Sequence, residues 1–346
     1  MIIYSKGSGT NATIGKLETP IKMVIERESD LLGKKGGICD WLFNVETSNR
    51  FGETVVGQTD FGTFLATAEG EEALQDTLKE YGTKFIEHIQ YTKEFVISAE
   101  MMEDANFGLA ADARRRAESF VRAYHRTRNK ICELALCCGM TEMLSYANAE
   151  IDLTCMDGKP LFSDSHKYGT RGTQSNYFYG EYTTFGDDEH RDPSRFAEAL
   201  YSLSHKLRCM MDDNGEALGY TADTIILPGN RPALEATVKA VCGSDKAPFS
   251  TDNSINLHYG NWNIIIFPDW YASKDTFMIM SSEANKNLCG NMFFNRVPLT
   301  VTNWVDHHTG NYIWNGRCRF GIGFGSYKHM ILAVDTETAT SDASKL

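Results

Sequence analysis

Small and apolar residues recur at Ala113, Ala117, Phe120, Val121, Tyr124, Ile131, Leu134, Ala135 and Cys138, the three- and four-residue spacing of one helix face. Between them stand Arg114, Arg115, Arg116, Glu118, Arg122, Arg126, Arg128 and Lys130, so only a narrow stripe can be buried. From Asn106 to Leu144 there is no proline, and glycine stands only at Gly108 and Gly139. Asp104 or Asn106 can cap the start and Gly139 can mark the end. The pattern predicts one helix over 105–144, roughly 45–55 Å long at 1.5 Å per residue and longer than an ordinary small domain is wide. Such a beam suits an extended subunit that its neighbours complete. The alternative is a long surface helix on an ordinary α/β enzyme.

Other stretches carry different periods. Residues 1 to about 50 show little periodicity, with Gly7, Gly9, Gly15, Gly33, Gly36 and Gly37 scattered through polar sequence. Their short apolar pieces, Ile21–Ile25 and Trp41–Phe43, predict an arm without a core of its own, laid on a neighbour. Residues 54–67 and 83–99 are β-rich and flank the acidic insert Glu69-Gly70-Glu71-Glu72, which predicts a long hairpin with a charged tip. A lone hairpin is marginal in water, so this one also calls for a partner surface. After a turn-rich stretch from Asp157 to His166, Asp192-Pro193 opens a second helix with core stripe Phe196, Leu200, Leu203, Leu207 and Met211. Thr224–Pro228 reads as a buried strand, and a third helix opens at Asn230-Arg231-Pro232 and closes at Gly243. Strands at 262–267 and 277–281 complete a small α/β module near 193–290. Residues 297–305 and 312–322 alternate about His308-Thr309-Gly310-Asn311, a hairpin, and a last strand at His329–Val334 precedes a Ser/Thr-rich tail.

Composition narrows the classes. At 346 residues, 42% hydrophobic and 23% charged, the chain has room for two domains and a sizeable core. It carries neither an apolar run of transmembrane length nor a leader pattern, so the product is expected in the cytoplasm where it is made. Nine cysteines without a C-x-x-C pair predict reduced core thiols, Cys132, Cys138, Cys209 and Cys242 among them, and no zinc. A net charge of −12 argues against general nucleic-acid binding. It fits a container wall that does not stick to its contents, and equally fits simple solubility.

Several segments also resemble a known family. Phe43–Asn49 is similar to an arm-to-hairpin junction, and Glu94–Asp104 to a strand leading into a spine helix. Asp157-Gly158 through His166 follows a DG-x-x-LF-x-x-x-H pattern. The strongest likeness runs from Leu207 through Asp212–Gly219, Ile225–Pro228 and Ala233–Thr237, and Arg317–Phe324 resembles a final return strand. In this order they resemble the major capsid proteins of tailed phages, the fold named after the Hong Kong 97 phage, and more closely the Mu-type major head subunits. The resemblance covers nearly the whole chain and implies an α+β fold. Its parts would be an N-terminal arm (1–53), an extended E-loop hairpin (54–94) and a peripheral domain (95–192) with spine helix 105–144. An axial α/β domain (193–295), a return hairpin of the peripheral domain (296–328) and a final strand and tail (329–346) would follow. It further implies a structural protein assembling into hexamers and pentamers of an icosahedral virion head around double-stranded DNA, without sequence-specific contacts, membrane or cofactors. Portal, scaffolding and decoration proteins would be its partners. A nanocompartment shell of the same fold and a soluble α/β enzyme are the other readings. Because Met1 is followed directly by the arm, no N-terminal processing and a separate scaffolding protein are expected.

Residues with the letters of chemistry lack its arrangement. Gly321-x-Gly323-x-Gly325 follows a strand but no helix succeeds it, so glycines for close strand packing are expected rather than a dinucleotide loop. His307 and His308 are adjacent and would face opposite ways on a strand, which predicts turn residues at an interface rather than ligands. Ser163, Asp164 and His166 are too close in sequence for a triad. His125 and His205 lie among cationic residues and read as solvated. No catalytic, metal or cofactor residue is assigned. Some relatives join subunits by a lysine–asparagine bond; here Lys79, Lys84 or Lys93 with Asn303 or Asn311 could serve, but no motif supplies the carboxylate base. The expected intersubunit contacts are Glu71 and Glu72 on the acidic tip, Arg114, Arg115, Arg116 and Arg122 on the spine helix, and His307 and Asn311 at the return turn.

Overall fold

The long helix runs over Gly108–Cys137, thirty residues or roughly 45 Å, in a computed structural model that describes residues 3–4, 12–58, 66–67, 72, 80–98, 100, 108–168, 172–180, 182, 193–246 and 255–335. It stops short of 144: the Gly139 amide donates to the Leu136 carbonyl, and Met143–Tyr146 turns back on Ala149–Asp152 as a small hairpin. Asn148, with φ of 64°, and Ala147, with φ of 51°, make its tight turn. Asp104 and Asn106, expected as caps, lie outside the described residues.

The chain falls into two units, one of 1–53, 86–132 and 293–322, the other of 54–85, 133–292 and 323–346. In the first, Asn291–Val305 and Tyr312–Phe324 form the return hairpin. The second of these strands pairs antiparallel with Ile89–Ile97, in register Tyr312 with Ile97 and Phe320 with Ile89. Ile3–Tyr4 and Asn44–Thr47 pair with the other strand of the hairpin. Ala113, Ala117, Phe120 and Val121 put the narrow stripe of the long helix on this sheet, against Leu299, Val301 and Trp314. Phe95 bridges the layers, 5.2 Å from the Phe120 ring and 6.0 Å from Trp314.

Two expectations fail here. The arm is not coreless: Ala12–Lys35 is a helix of twenty-four residues, and its Ile25, fully buried, belongs to the same cluster as Ala117 and Val121. Its scattered glycines hid the helical period, and among the described side chains of this helix, 22–35, only Ile25 is fully buried. Nor is 83–99 one hairpin strand. It breaks at His88, so that Glu80–Glu87 pairs with Gly52–Gln58 while Ile89–Ile97 joins the main sheet. His88 is buried, its Nε2 2.9 Å from Ser48 Oγ. Gly321 passes so close that a Cβ there would meet Glu87 O at 2.6 Å, the close strand packing expected of that glycine.

The second unit is built on a mixed five-stranded sheet in the order Tyr177–Gly180, Met330–Asp335, Thr276–Met280, Thr224–Pro228 and Asn263–Phe267. The two outer pairings are parallel and the two inner ones antiparallel. The three central strands are buried at every position, which is why they read as continuous apolar runs rather than alternating ones. Two of the five strands come from outside 193–295. Helix Pro193–Arg208 buries Phe196, Leu200, Leu203 and Leu207, with Phe196 edge-on to Phe277 at 5.1 Å. Met211, expected in that stripe, lies beyond the helix end and is exposed. Helix Pro232–Cys242 starts on its proline and closes on Gly243, whose amide donates to the Lys239 carbonyl.

Candidate assembly surfaces

The residues expected to touch other subunits are distributed as follows. Glu71 lies outside the described residues, and Glu72 is exposed in irregular chain. On the long helix Arg114 Nε is 2.9 Å from Glu118, which Arg122 also approaches at 3.6 Å. Arg115 faces Asp112 at 3.8 Å, and Arg116 donates to the Val96 carbonyl at 2.6 Å. Each of the four arginines therefore has a partner in its own chain. Among the first three of those pairings the cations remain at least half exposed, Arg115 at 80%.

The return turn is closed by hydrogen bonds. Asp306 is its hub: its carboxylate accepts from the His308 amide at 3.1 Å and the Thr309 hydroxyl at 2.7 Å, and its own amide donates to the Asn311 carbonyl at 2.9 Å. Hydrogen bonds from Thr309 and then His308 hold the Asp306 carboxyl below the usual carboxylate range. Gly310 takes φ of 69°, a conformation glycine adopts without strain. The geometry leaves His307 and His308 exposed at the tip.

At the base of the long hairpin Lys84 is buried, its Nζ 2.5 Å from Asp152 and 2.7 Å from Thr154 Oγ1. Burial raises the Asp152 carboxyl, but hydrogen bonds from Lys84 and Thr154 outweigh it and leave that group below its ordinary value. Lys84 is thus engaged within the chain, whereas Lys93 is exposed and Lys79 lies outside the described residues.

Sequence reasoning missed the joint between arm and long helix. Arg128 stacks over Phe293 at 4.9 Å, reaches Asp40 at 3.6 Å and donates to Cys39 Sγ at 3.5 Å. Burial pushes the neighbouring Tyr124 hydroxyl up to about 12. His125 is not solvated. Burial, reinforced by Arg128, pushes it down to about 4, and its Nε2 is buried. A cavity of about 480 Å³ lies beside it, bordered by Ser29, Lys34, Tyr124, Arg128 and Pro298. In sequence these residues are ordinary members of a charged helix and a polar arm, and no spacing signals their meeting. All nine cysteines are free, but Cys209 is exposed at a helix end rather than in a core.

The polar residues with catalytic letters serve structure. His166 is fully buried, its Nδ1 2.7 Å from Asp157 and its Nε2 3.2 Å from the Leu161 carbonyl, so both ring nitrogens are engaged. Among the described residues no group of three His, Cys, Asp or Glu is placed to hold a metal ion, and no helix is long and apolar enough to cross a membrane.

No family model matches the sequence, and no curated protein matches it. Solved structures match in shape. A chain from the procapsid of bacteriophage JBD30 has a TM-score of 0.50 over 97% of this chain and 78% of its own, at 12% identity. A chain from the capsid of a native GTA particle has a TM-score of 0.50 over 86% and 90%, at 12% identity. The capsid of cyanophage P-SCSP1u gives 0.50 over 87% and 88%, at 9% identity. The fold is the tailed-phage capsid fold, of the Hong Kong 97 type. Within this capsid fold the arm helix, long helix and return hairpin make one unit, and the mixed sheet with its two helices makes the other.

Proposed function

We propose that this chain is a major capsid protein that assembles with its own copies into hexamers and pentamers of an icosahedral phage head enclosing double-stranded DNA. The observation that carries the reading is the shared capsid fold over 86–97% of the chain. The exposed His307 and His308 at the hydrogen-bonded return turn support it, because repeated interfaces bury what one chain leaves open. The net charge of −12 suits a wall facing DNA without adhering to it. The role is structural rather than enzymatic, since the buried His166–Asp157 pair is spent on holding the fold. Glu71 and Glu72 against Arg114, Arg115, Arg116 and Arg122, with His307 and Asn311 at the turn, are the intersubunit contacts of this reading. Portal, scaffolding and decoration proteins are its further partners, and the virion is its location, reached after assembly in the host cytoplasm.

Negative-stain microscopy of the purified protein should show shells, rings or tubes. A strictly monomeric, compact particle by light scattering overturns the reading. Nuclease treatment of the particles then tests the contents: protected DNA supports a phage head, and protected protein cargo points instead to a nanocompartment.

A further inference from the structure

We propose that the cavity between the arm helix, the long helix and the return strand binds a small phosphate monoester of about sugar-phosphate size. The cavity is about 480 Å³, within the range of small-molecule sites and larger than one inorganic ion fills. Its wall lies wholly in the first unit, drawn from 29–34 of the arm helix, 124–128 of the long helix and 295–299 of the return strand. Gly33 borders it from inside the arm helix, where glycine is a poor helix former. A Cβ at that position would meet nothing within 4 Å, so no close approach of another atom demands glycine there. Its missing side chain leaves the cavity open on that side.

The polar groups of the wall decide the ligand. Among the described residues, six buried side-chain nitrogen or oxygen atoms have no hydrogen-bond partner within the chain. Three of the six, His125 Nε2, Arg128 Nε and Asn295 Oδ1, belong to residues of this one wall. A buried polar group without a partner is costly, so their gathering here calls for a polar occupant rather than an apolar one. Arg128 makes that occupant an anion: its side chain is only 13% exposed, it reaches Asp40 at 3.6 Å, and a guanidinium has five N–H donors to place. Lys34 adds a second cation at the exposed rim, against one rim carboxylate, Asp30. These cations come from two different helices, and a tetrahedral phosphate presents oxygens in more directions than a planar carboxylate does. Asn295 Oδ1 and Asp30 accept rather than donate, which asks for hydroxyls on the body that carries the phosphate. His125 Nε2 serves either need, a donor in one tautomer and an acceptor in the other. Tyr124, Pro298 and Leu299 supply the apolar part of the wall. The site does not depend on the capsid reading, since every residue in it belongs to one unit of a single chain.

The test uses the full chain with four probes, ribose 5-phosphate, inorganic phosphate, citrate and ribose, read by titration calorimetry and by the melting midpoint. Ribose 5-phosphate is expected to bind once per chain and, near saturation, to raise the midpoint by ~2 °C or more. Inorganic phosphate and citrate should bind at least ~10-fold more weakly, and ribose should give no heat. Gly33→Leu puts a side chain into the cavity and improves the helix, so it should abolish binding without lowering the midpoint of the free chain. Lys34→Glu, a change at an exposed rim position, should weaken binding by about tenfold, and it decides the matter if Gly33→Leu does not fold. The proposal is overturned if ribose 5-phosphate does not bind, if ribose, citrate or inorganic phosphate binds as tightly, or if binding is unchanged in the folded variants. Shell formation is read separately by microscopy, so failure of this site and failure of the capsid reading are distinguishable.

Discussion

The imidazole of His166 lies flat on the Tyr327 ring, centroids 3.8 Å apart and planes within 5° of parallel. Tyr327 in turn donates to the Lys167 carbonyl and accepts from Gln174 at 2.8 Å. The stack ties the turn-rich stretch after the long helix to the chain just before the final strand. His166→Ala removes the stacked surface and takes the ring nitrogen away from Asp157, while the Leu161 carbonyl keeps the Asn176 side-chain amide as donor. A loss of ~2–4 kcal/mol is expected, read as the shift of a urea midpoint at constant slope. A change below ~0.5 kcal/mol would show that the stack contributes nothing.

Gly316 sits on the return strand directly over Phe120 of the long helix, where a Cβ would collide with the ring and also meet Leu299 at 3.2 Å. Neither neighbour can yield, because both belong to the packed cluster around Trp314. Gly316→Ala should destabilise by ~1–3 kcal/mol through overpacking. Adding Phe120→Leu should recover part of that loss, and strict additivity in the double mutant would refute the contact.

Ile25 is fully buried among Ala117, Val121 and Val301. Ile25→Ala should therefore cost ~2–4 kcal/mol in the unassembled chain. An arm that gained its order only from a neighbour would show no change in the isolated protein, and hydrogen exchange across 22–35 would separate the two cases.

What the sequence disclosed follows from how locally each element is determined. Thr224–Pro228 and Pro232–Cys242 were readable to the residue, because a buried strand is a continuous apolar run and a proline and a glycine bracket the helix. The stripe of the long helix was readable for the same reason. The arm helix was not, since Gly15, Pro20 and Gly33 lie inside it and few of its apolar residues repeat on one face. The break at His88 was hidden as well: both halves are good strand sequence, and only the partner strand decides where pairing changes. The joint of Cys39, Asp40 and Arg128 is a tertiary event between segments ninety residues apart, beyond any local period.

Acid should weaken the fold through His329. It is fully buried, its Nε2 donates to Asn291 Oδ1 at 2.8 Å, and burial pushes its value down to about 3. The folded state thus keeps it neutral where the unfolded chain, near 6.5, takes up a proton. More protons are bound unfolded, so stability is complete above about pH 6.5 and declines as the pH falls towards 3. The decline from this group is on the order of 5 kcal/mol at most, and His125 adds in the same direction. His329→Gln should flatten the dependence of the melting midpoint between pH 7 and 4. An unchanged slope would assign the acid sensitivity to other groups.

The basic face of the long helix is partly committed within its own chain, and this sets the size of any electrostatic latch with the hairpin tip. Arg114 and Arg122 share Glu118, and Arg116 is held by the Val96 carbonyl. Side chains of Arg114 and Arg115 nevertheless remain 57% and 80% exposed, free to meet Glu71 and Glu72 of another copy. Each exposed pair contributes only ~0–1 kcal/mol, but in the proposed shell the contact would recur in every subunit, and salt would screen it within roughly 10 Å at 0.1 M. Wild-type assembly should accordingly weaken as salt rises. Glu71→Lys with Glu72→Lys should impair capsomer formation most at low salt, where like charges would now oppose each other. If the double variant closes normally at low salt, measured by sedimentation and microscopy, the tip is held by apolar contact and the four arginines serve only their own helix.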